Sequence, residues 1–454
     1  MHVNHVYTFG DRTTAPALRA AILVAAAMLS VLVVLGQYPI AFALIFAVVM
    51  LVWPVEVGLG LFVFIVPFEA VLLLGENSSV NWAAGMAAGG VLMFHCLFTG
   101  RFHRPGRAAL WWGALATWSI ITTAWAVNSQ LAVQRVPTVI SLFLLYLVVS
   151  SYKMTEKEFN SVVLMAVFGG LAAAALAIWQ FRAGGGVLRA TLAAEGQAAN
   201  PNVFASTLLF PLALSIGQVL AQKKSRVSKL LMLGAAAAMA FGIFLSMSRG
   251  ALVAMAAACV VFLRRFRVNW RVLVPVALMF GMVFLLPDLF FQRVGSSVAS
   301  RAEHRFDVWR VGFEALKHYF LFGAGLSNFP VAYTQFAGYA PVFQGLNRSP
   351  HNVFLGVWVE MGILGISTLV AAVVAQLRDL TRLVKRCEQR FFAEAVAFEA
   401  GYVAVLVHAL VLALMWRKSF WVAAMMASAF VALRRDTWDE QPRNTNVSSF
   451  LKLR

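Results

Sequence analysis

The sequence predicts an all-α integral membrane protein, a polytopic helix bundle in which about 12–14 helices cross the membrane. Two observations support this fold class. First, 61% of the 454 residues are hydrophobic and only 12% are charged, with a mean hydropathy of +0.79. Second, apolar runs of about 20 residues, the length that a helix needs to cross a bilayer, recur along the whole chain. A soluble core could not bury this much apolar surface, so a soluble globular protein is excluded.

The predicted spans follow one another with short connections. If the basic loops are cytoplasmic, the chain makes fourteen crossings with both termini inside; because the first two and the last two runs are short, twelve is also consistent. The N-terminal residues do not resemble a cleavable signal peptide, because their polar part is long and further spans follow. The runs cover residues 20–36, 38–53, 55–74, 83–99, 108–126, 136–151, 161–181, 202–221, 230–248, 251–263, 272–290, 352–376, 397–415 and 419–433.

The net charge of +18 has a pattern that argues against nucleic acid as a partner. Basic residues are concentrated in every second loop between apolar runs, which is the positive-inside signature of proteins that partner a lipid bilayer. These loops lie near residues 101–107, 223–229, 264–271, 378–390 and 434–435.

One outer segment breaks this rule. Residues 291–350 form the one long stretch between predicted spans, and on the outer side they carry six basic residues, for which an anionic ligand is the simplest reason. The six are Arg293, Arg301, Arg305, Arg310, Lys317 and Arg348. The chain thus divides into residues 1–290 (first part of the transmembrane bundle), 291–350 (outer loop and helical segment with the basic cluster), 351–433 (last part of the bundle) and 434–454 (cytoplasmic tail).

Within that segment, the spacing predicts a helix over residues 300–320. Arg301, Arg305 and Trp309 stand four residues apart and therefore share one helix face. The two glycines of FGAGLSNF are expected to end the helix. The aromatic residues that follow are expected to form loops or amphipathic elements on the bilayer surface.

A His-Asn pair opens the next apolar run, in RSPHNVFLGVWVEMGILG. Ser349 suits the N-cap of this helix, which would put His351 and Asn352 in its first turn. There the helix dipole disfavours imidazolium and leaves a neutral ring able to take a proton. The alternative is an interfacial histidine bonded to a carbonyl group. Gly362 and Gly365 lie on the face of the helix below His351, where another helix is expected to approach closely.

Three further polar residues stand at outer helix ends. Arg249, in FLSMSRGALVAM, lies where one span turns directly into the next, a costly position unless it meets an anion or a carboxylate. The alternative is an arginine that extends to the interface. Asn200 and Asn202 open another span in AANPNVF, and turn chemistry alone could explain them. Glu360 lies half a helical wheel away from His351 and is expected to join the bundle or pair with a basic group.

Motifs for metals and nucleotides are missing from the sequence. Its three cysteines are scattered, and there is no CxxC, DxD, Walker-type loop or GxSxG. No cofactor and no metal are therefore expected. Chemistry at the outer cluster would depend on arginine and histidine, which favours a donor that carries its own activated leaving group.

Several of these stretches resemble one family. The pattern of His351-Asn352, nine residues and then GxxG resembles the signature of bacterial O-antigen ligases. RFDVWRVGFEALKHYFLFGAGLSNF, SRGAL and NPN are similar to stretches of the same superfamily, so the likeness spans about residues 195–370. Arg249-Gly-Ala-Leu252 departs from the ligase pattern, because it is one residue shorter than Arg-x3-Leu.

The resemblance implies a GT-C-type integral membrane enzyme that takes a glycan from undecaprenyl diphosphate at the periplasmic face of the bacterial inner membrane. O-antigen ligases pass it to lipid A–core, Wzy-type polymerases pass it to another lipid-linked glycan, and a third group passes it to protein. By this resemblance Arg249, Arg301 and Arg305 would hold the diphosphate, and His351 would orient or deprotonate the acceptor hydroxyl in an inverting attack. A transporter or flippase is the rival class, although such proteins usually have internal repeats and polar groups near the membrane midplane.

Overall fold

The computed structural model describes residues 48–69, 71–72, 79–184, 189–194, 197–198, 200–222, 224–267 and 299–439. Nearly all of them are helical, with one small antiparallel pair of strands, Ala193–Ala194 with Gln197–Ala198. The helices are α1 (Pro54–Phe68), α2 (Val80–Thr99), α3 (Arg107–Ile121), α4 (Ser129–Ser151), α5 (Glu156–Ala183), α6 (Pro201–Leu220), α7 (Arg226–Leu245), α8 (Arg249–Arg265), α9 (Ala299–Tyr319), α10 (Phe329–Phe336), α11 (Val353–Arg386), α12 (Phe392–Ala409) and α13 (Lys418–Asp439).

The predicted fold class is confirmed: the chain is an all-α, multi-pass membrane protein. Seven helices within the described ranges are long and apolar enough to cross a membrane, namely α2, α4, α5, α6, α7, α11 and α12. The predicted runs from residue 55 to 263 and from 352 to 433 coincide with α1–α8 and α11–α13. The runs at 20–36 and 272–290, and most of 38–53, lie outside the described residues, so the total of 12–14 spans stays a prediction.

The connections between helices gather at two ends of the bundle. Residues 320–352 mark one of them, which we call the site end, and the other is the opposite end. At the site end the backbone N–H of Val127 donates to the carbonyl of Ala324 (2.9 Å), and Lys418 pairs with Glu69 (2.5 Å). These bonds bring the loops before α4, after α1 and before α13 to the same end as the segment that precedes α11.

Residues 299–350 pack as a unit on the start of α11. The helix expected over 300–320 is α9, and it ends where Gly323 and Gly325 adopt positive φ. Val311 and Ala315 of α9, Phe329 and Tyr333 of α10, and Val359 of α11 belong to one buried cluster. This cluster is separate from the main core of the bundle, and it fixes the segment to the end of α11 that follows the His-Asn pair.

Helix α11 is interrupted at Gly362, which has φ 64° and ψ −162°. The expected close approach does occur there, but the partner is the turn after α9 and not a helix: a Cβ at Gly362 would stand 2.1 Å from the carbonyl oxygen of Leu321. Gly365 meets Met361 of its own helix across the break. The break leaves backbone groups of α11 without partners inside the helix, and these groups form hydrogen bonds with other segments. The bonds are Ala324 N to Val359 O (2.8 Å), Gly325 N to Glu360 O (2.8 Å), Trp118 Nε1 to Met361 O (2.8 Å) and Ile363 N to Leu321 O (3.2 Å).

Candidate active site

The loop before α11 differs from the expected helix start. Asn352, not Ser349, is the N-cap: its side-chain oxygen accepts the backbone N–H of Leu355 (3.0 Å), and the helix begins at Val353. His351 therefore precedes the helix, with φ 48°. Histidine and asparagine are among the residues that adopt this left-handed conformation more readily, and an asparagine cap is worth about 1 kcal/mol. The serine and proline upstream are left in the loop.

His351 is held as a neutral imidazole. Its ring is largely buried, and its Nδ1 atom is buried without a hydrogen-bond partner among the described residues. Burial, and then the positive charges of Arg305 and Arg348, lower the pKa of His351 to about 4. A ring that is neutral at physiological pH and has an unoccupied nitrogen can accept a proton from a substrate.

Trp309 of α9 positions the loop that carries His351. Trp309 Nε1 donates to the carbonyl oxygen of Pro350 (3.0 Å), directly before His351. One turn further on, Gly312 packs against Leu355 so closely that a Cβ would stand 2.9 Å from a leucine methyl group. The predicted face of α9 thus lies toward the His351 loop. Arg301 lies in the first turn of α9, and its side chain is outside the described part of the structure.

Arg305 lies on the same face of α9, one turn before Trp309. Its charge is near enough to interact with His351 and with His408 of α12. Burial lowers the pKa of Arg305 from its ordinary value, although a guanidinium stays protonated at neutral pH. Among the described residues, no carboxylate pairs with it at salt-bridge distance. The site therefore contains a half-buried positive charge that a ligand anion could neutralise.

Arg348 adds a second guanidinium to the loop. Its Nε donates to the backbone carbonyl of Gln344, and the Gln344 amide donates to Asp307 of α9 (3.1 Å). This chain of bonds fixes the base of the Arg348 side chain against α9. Two cations from different elements thus act on the His351 ring.

Arg249 is the first residue of α8, capped by Ser248, whose hydroxyl accepts the Ala251 N–H (3.4 Å). Its neighbour Gly250 packs against the end of α12: a Cβ there would stand 2.5 Å from Val411 and 3.1 Å from the His408 ring. His408 is almost fully buried, and its Nδ1 has no partner among the described residues. The Arg249 turn thus packs on the end of α12 that carries His408, and the charge of Arg305 also acts on this histidine.

Asn200 and Asn202 have structural partners. The Asn200 side chain caps α6 by accepting the Asn202 N–H (2.9 Å), as turn chemistry alone would require. The Asn202 side chain accepts from Arg189 (3.0 Å), and Arg189 also donates to the carbonyl of Ser246 (2.7 Å). Asn202 therefore supports the turn that leads into Arg249.

Glu360 joins elements of the bundle, as expected from the sequence. It is buried in α11 and accepts the backbone N–H of Phe329 (3.2 Å), the first residue of α10. It also borders a cavity of about 680 Å³ that adjoins the His351 loop at Ser349, Pro350 and Asn352.

Sequence reasoning missed the roles of Arg189, His408 and Arg135. No motif in the sequence singles out Arg189 or His408. Arg135, which lines the cavity, was not singled out. The available signal was the presence of a charge or an imidazole inside an apolar run. Within the described ranges, no group of three or more His, Cys, Asp or Glu side chains has the arrangement of a metal site.

Comparison with known families agrees with the resemblance found in the motifs. Residues 234–370 match the family model described as O-antigen ligase. This match begins within α7 and contains α8, α9, α10 and the first half of α11, and so it includes Arg249, Arg305 and His351. The chain has no significant match among curated proteins. The protein is thus a multi-pass membrane protein in which residues 234–370 are similar to the O-antigen ligase family.

Proposed function

We propose that the protein transfers a glycan from undecaprenyl diphosphate to an acceptor hydroxyl at the site end of the bundle. The observation that carries this proposal is the neutral His351 ring, with a buried and unpartnered nitrogen, beside Arg305 and Arg348. A base next to guanidinium groups without carboxylate partners is suited to a reaction in which a hydroxyl loses its proton while negative charge develops on a diphosphate.

The proposed step is a single displacement. The acceptor oxygen attacks the anomeric carbon, the bond from that carbon to the diphosphate oxygen breaks, and the hydroxyl proton passes to His351. Arg305, with Arg249 and Arg301, binds the diphosphate and stabilises the charge that it gains as the leaving group. The anomeric configuration is inverted, and no metal takes part.

Lipid A–core is the acceptor that we propose first, which makes the protein an O-antigen ligase. The match of residues 234–370 to the O-antigen ligase family supports this assignment. A Wzy-type polymerase, with another lipid-linked glycan as acceptor, is the second candidate, because the shortened Arg249-Gly-Ala-Leu252 spacing departs from the ligase pattern. A transferase that glycosylates protein is a third.

For location, we propose the bacterial inner membrane, with the site end in the periplasm. Within the described ranges, the basic residues that follow α2, α6 and α8 lie at the opposite end, as the positive-inside rule expects of a cytoplasmic face.

The test is glycosyl transfer by the purified full chain in liposomes that contain undecaprenyl diphosphate-linked glycan and either lipid A–core or a second lipid-linked glycan. Product should form with one acceptor, persist in EDTA, and disappear in His351→Ala. Movement of the lipid-linked glycan across the bilayer without product would contradict the proposal and favour a flippase. Strict dependence on Mg²⁺ or Mn²⁺ would contradict the arginine and histidine mechanism.

A further inference from the structure

A cavity of about 680 Å³ lies beside the His351 loop at the site end, between the starts of α2, α4, α11 and α13. This volume is in the range of roughly 300–1,000 Å³ that small-molecule sites occupy. Ser349, Pro350 and Asn352 line it, whereas His351 and Arg305 do not. The cavity therefore adjoins the base that we assign to the acceptor hydroxyl, and it is separate from the arginine that we assign to the diphosphate.

Positive charges outnumber negative charges on the wall of the cavity. Arg135 of α4, Arg417 and Lys418 contribute positive charge. Lys418 is already paired with Glu69 (2.5 Å). Arg135 has a single long hydrogen bond, to the hydroxyl of Ser327 (3.4 Å), and in the described part of the chain no carboxylate lies within salt-bridge distance of Arg135 or Arg417.

The one other acid on the wall does not neutralise these arginines. Glu360 is buried at the α11 side, and its carboxylate accepts the backbone N–H of Phe329 (3.2 Å). Arg135 is near enough to Glu360 for their charges to interact, but the two do not form an ion pair. Two guanidinium groups thus face the cavity with N–H donors that are not used within the described part of the chain. A guanidinium group is well suited to bind a carboxylate or a phosphate through two hydrogen bonds.

The rest of the wall suits a sugar. Trp82 and Trp416 line the cavity, and an indole ring offers an apolar face with a polar edge. Ser79, Thr138, Ser141 and Asn352 provide small polar groups at other points of the wall. Ser79, Ser141 and Asn352 already bond within the chain, but their remaining hydrogen-bonding capacity and that of the two guanidinium groups suit the hydroxyls of a saccharide better than a long apolar lipid chain.

We propose that this cavity binds the acceptor, and that the acceptor is a saccharide that carries a carboxylate or a phosphate, held by Arg135 and Arg417. This inference rests on the proposed glycosyl transfer and adds a substrate class to it. The acidic group enters between the two arginines, the indoles contact the sugar rings, and the reacting hydroxyl lies toward the His351 loop.

Binding can be tested without any transfer reaction. The full chain in lipid nanodiscs is titrated, by ligand-observed NMR, with a tetrasaccharide that contains glucuronate, with the same tetrasaccharide after reduction of its carboxyl groups, and with a 6-phosphorylated oligosaccharide. At least one acidic probe should bind about 10-fold or more tightly than the neutral one, because a hydrogen bond to a charged group contributes at least that factor. Equal binding of acidic and neutral probes, or no binding by any of them, would overturn the proposal.

Variants assign the effect to the cavity. Arg135→Gln and Arg417→Gln should each weaken binding of the acidic probe about 10-fold and leave the neutral probe unchanged. Arg310→Gln removes an exposed arginine of α9 that does not line the cavity, and it should change neither. Arg135→Lys retains the positive charge, so it serves as a control for a folding defect in Arg135→Gln. If Arg310→Gln weakens binding as much as Arg135→Gln, general surface charge and not the cavity binds the probe.

Two further measurements distinguish a failure of this inference from a failure of the proposed function. Glycan-free undecaprenyl diphosphate should not displace the acidic probe; if it does, and Arg135→Gln prevents it, the cavity belongs to the donor and the acceptor assignment is wrong. His351→Ala should bind the probe normally while it loses transfer. If the variants follow the expected pattern but no transfer occurs with any donor, the proposed function fails while the anionic saccharide site stands.

Discussion

The two ends of the bundle are both basic, but their half-buried arginines have different partners. At the opposite end, Arg101 pairs with Glu158 (2.5 Å), and Arg265 pairs with Glu399 through two hydrogen bonds (2.7 and 2.5 Å). At the site end, no carboxylate among the described residues pairs with Arg305. Positive charge that is withdrawn from water is costly without a counter-charge. The comparison therefore indicates a structural role for the paired arginines and supports the ligand-binding role that we propose for Arg305.

The largest difference between the ends should appear when His351 is replaced. His351→Ala should lower the rate of transfer by about 10²–10⁴-fold, the usual contribution of a general base, and leave donor affinity nearly unchanged. Turnover and donor affinity are measured on the same purified protein. His318→Ala, an exposed histidine of α9, is the matched control and should have no effect. Loss of donor affinity as complete as in Arg305→Ala would make His351 another phosphate ligand.

At the opposite end, the corresponding effect should be on stability. Glu399→Gln leaves Arg265 without its counter-charge and also weakens the bond from Thr381 (2.7 Å), so the free energy of unfolding should fall by about 3–5 kcal/mol. Thermal unfolding in detergent measures this loss, while donor affinity stays the same. The control is Glu388→Gln, because its pair with Arg390 is more exposed and should cost less than about 1 kcal/mol. Equal losses from the two variants would remove the structural role of the Arg265–Glu399 pair.

A charge-conserving change at the site end sharpens the contrast. Arg305→Lys keeps the positive charge but loses the planar guanidinium that can bind two phosphate oxygens. Donor binding should weaken by about 10–100-fold, the value of a charge-assisted hydrogen bond, with thermal stability unchanged. Arg310→Lys, on the exposed face of α9, serves as the control. If Arg305→Lys binds donor normally, a positive charge at this position is sufficient and the planar guanidinium group is not needed.

The smallest expected effect is a shift in pH dependence. The pKa of His351 is lowered from 6.5 to about 4 in the free protein, so the neutral ring persists below pH 6 and is lost only as the pH falls through about 4. The acid limb of kcat/KM should therefore lie well below 6.5. Bound diphosphate offsets the charges of Arg305 and Arg348, so the acid limb of kcat should lie at higher pH than that of kcat/KM. An acid limb of kcat/KM at 6.5 would argue against His351 as the base.

Helical elements and one face of α9 were predictable from sequence. Apolar runs from residue 80 onward match α2–α8 and α11–α13 closely, because the length and polarity of a transmembrane helix are encoded locally. The spacing of Arg305 and Trp309 also predicted one face of α9, and Trp309 does reach the loop that precedes α11. These inferences need only helical periodicity.

Features that depend on contacts distant in sequence were not predictable. The GxxG pattern indicated close approach of a helix, but whether Gly362 stays helical depends on Leu321 and Ala324, about 40 residues upstream. Ser349 and Asn352 are both good N-caps by residue type, and the Trp309–Pro350 bond helps to fix which one begins the helix. The Arg189–Asn202 bond and the packing of Gly250 on His408 likewise join residues that no local pattern connects.

The break in α11 makes residues 326–350 an exchangeable module. The stretch begins just after Gly325, whose N–H is bonded to the carbonyl of Glu360 in α11. It ends just before the Asn352 cap of the same helix. Gly325 is held through main-chain atoms and Asn352 through its own side chain, so neither of these two bonds uses a side chain of residues 326–350. A chimaera that receives this stretch from a relative should therefore insert it in the correct orientation. The part of the cavity wall that this stretch contributes, at Ser327, Pro330, Ser349 and Pro350, would then change, while Arg135 and Arg417 of the bundle stay the same.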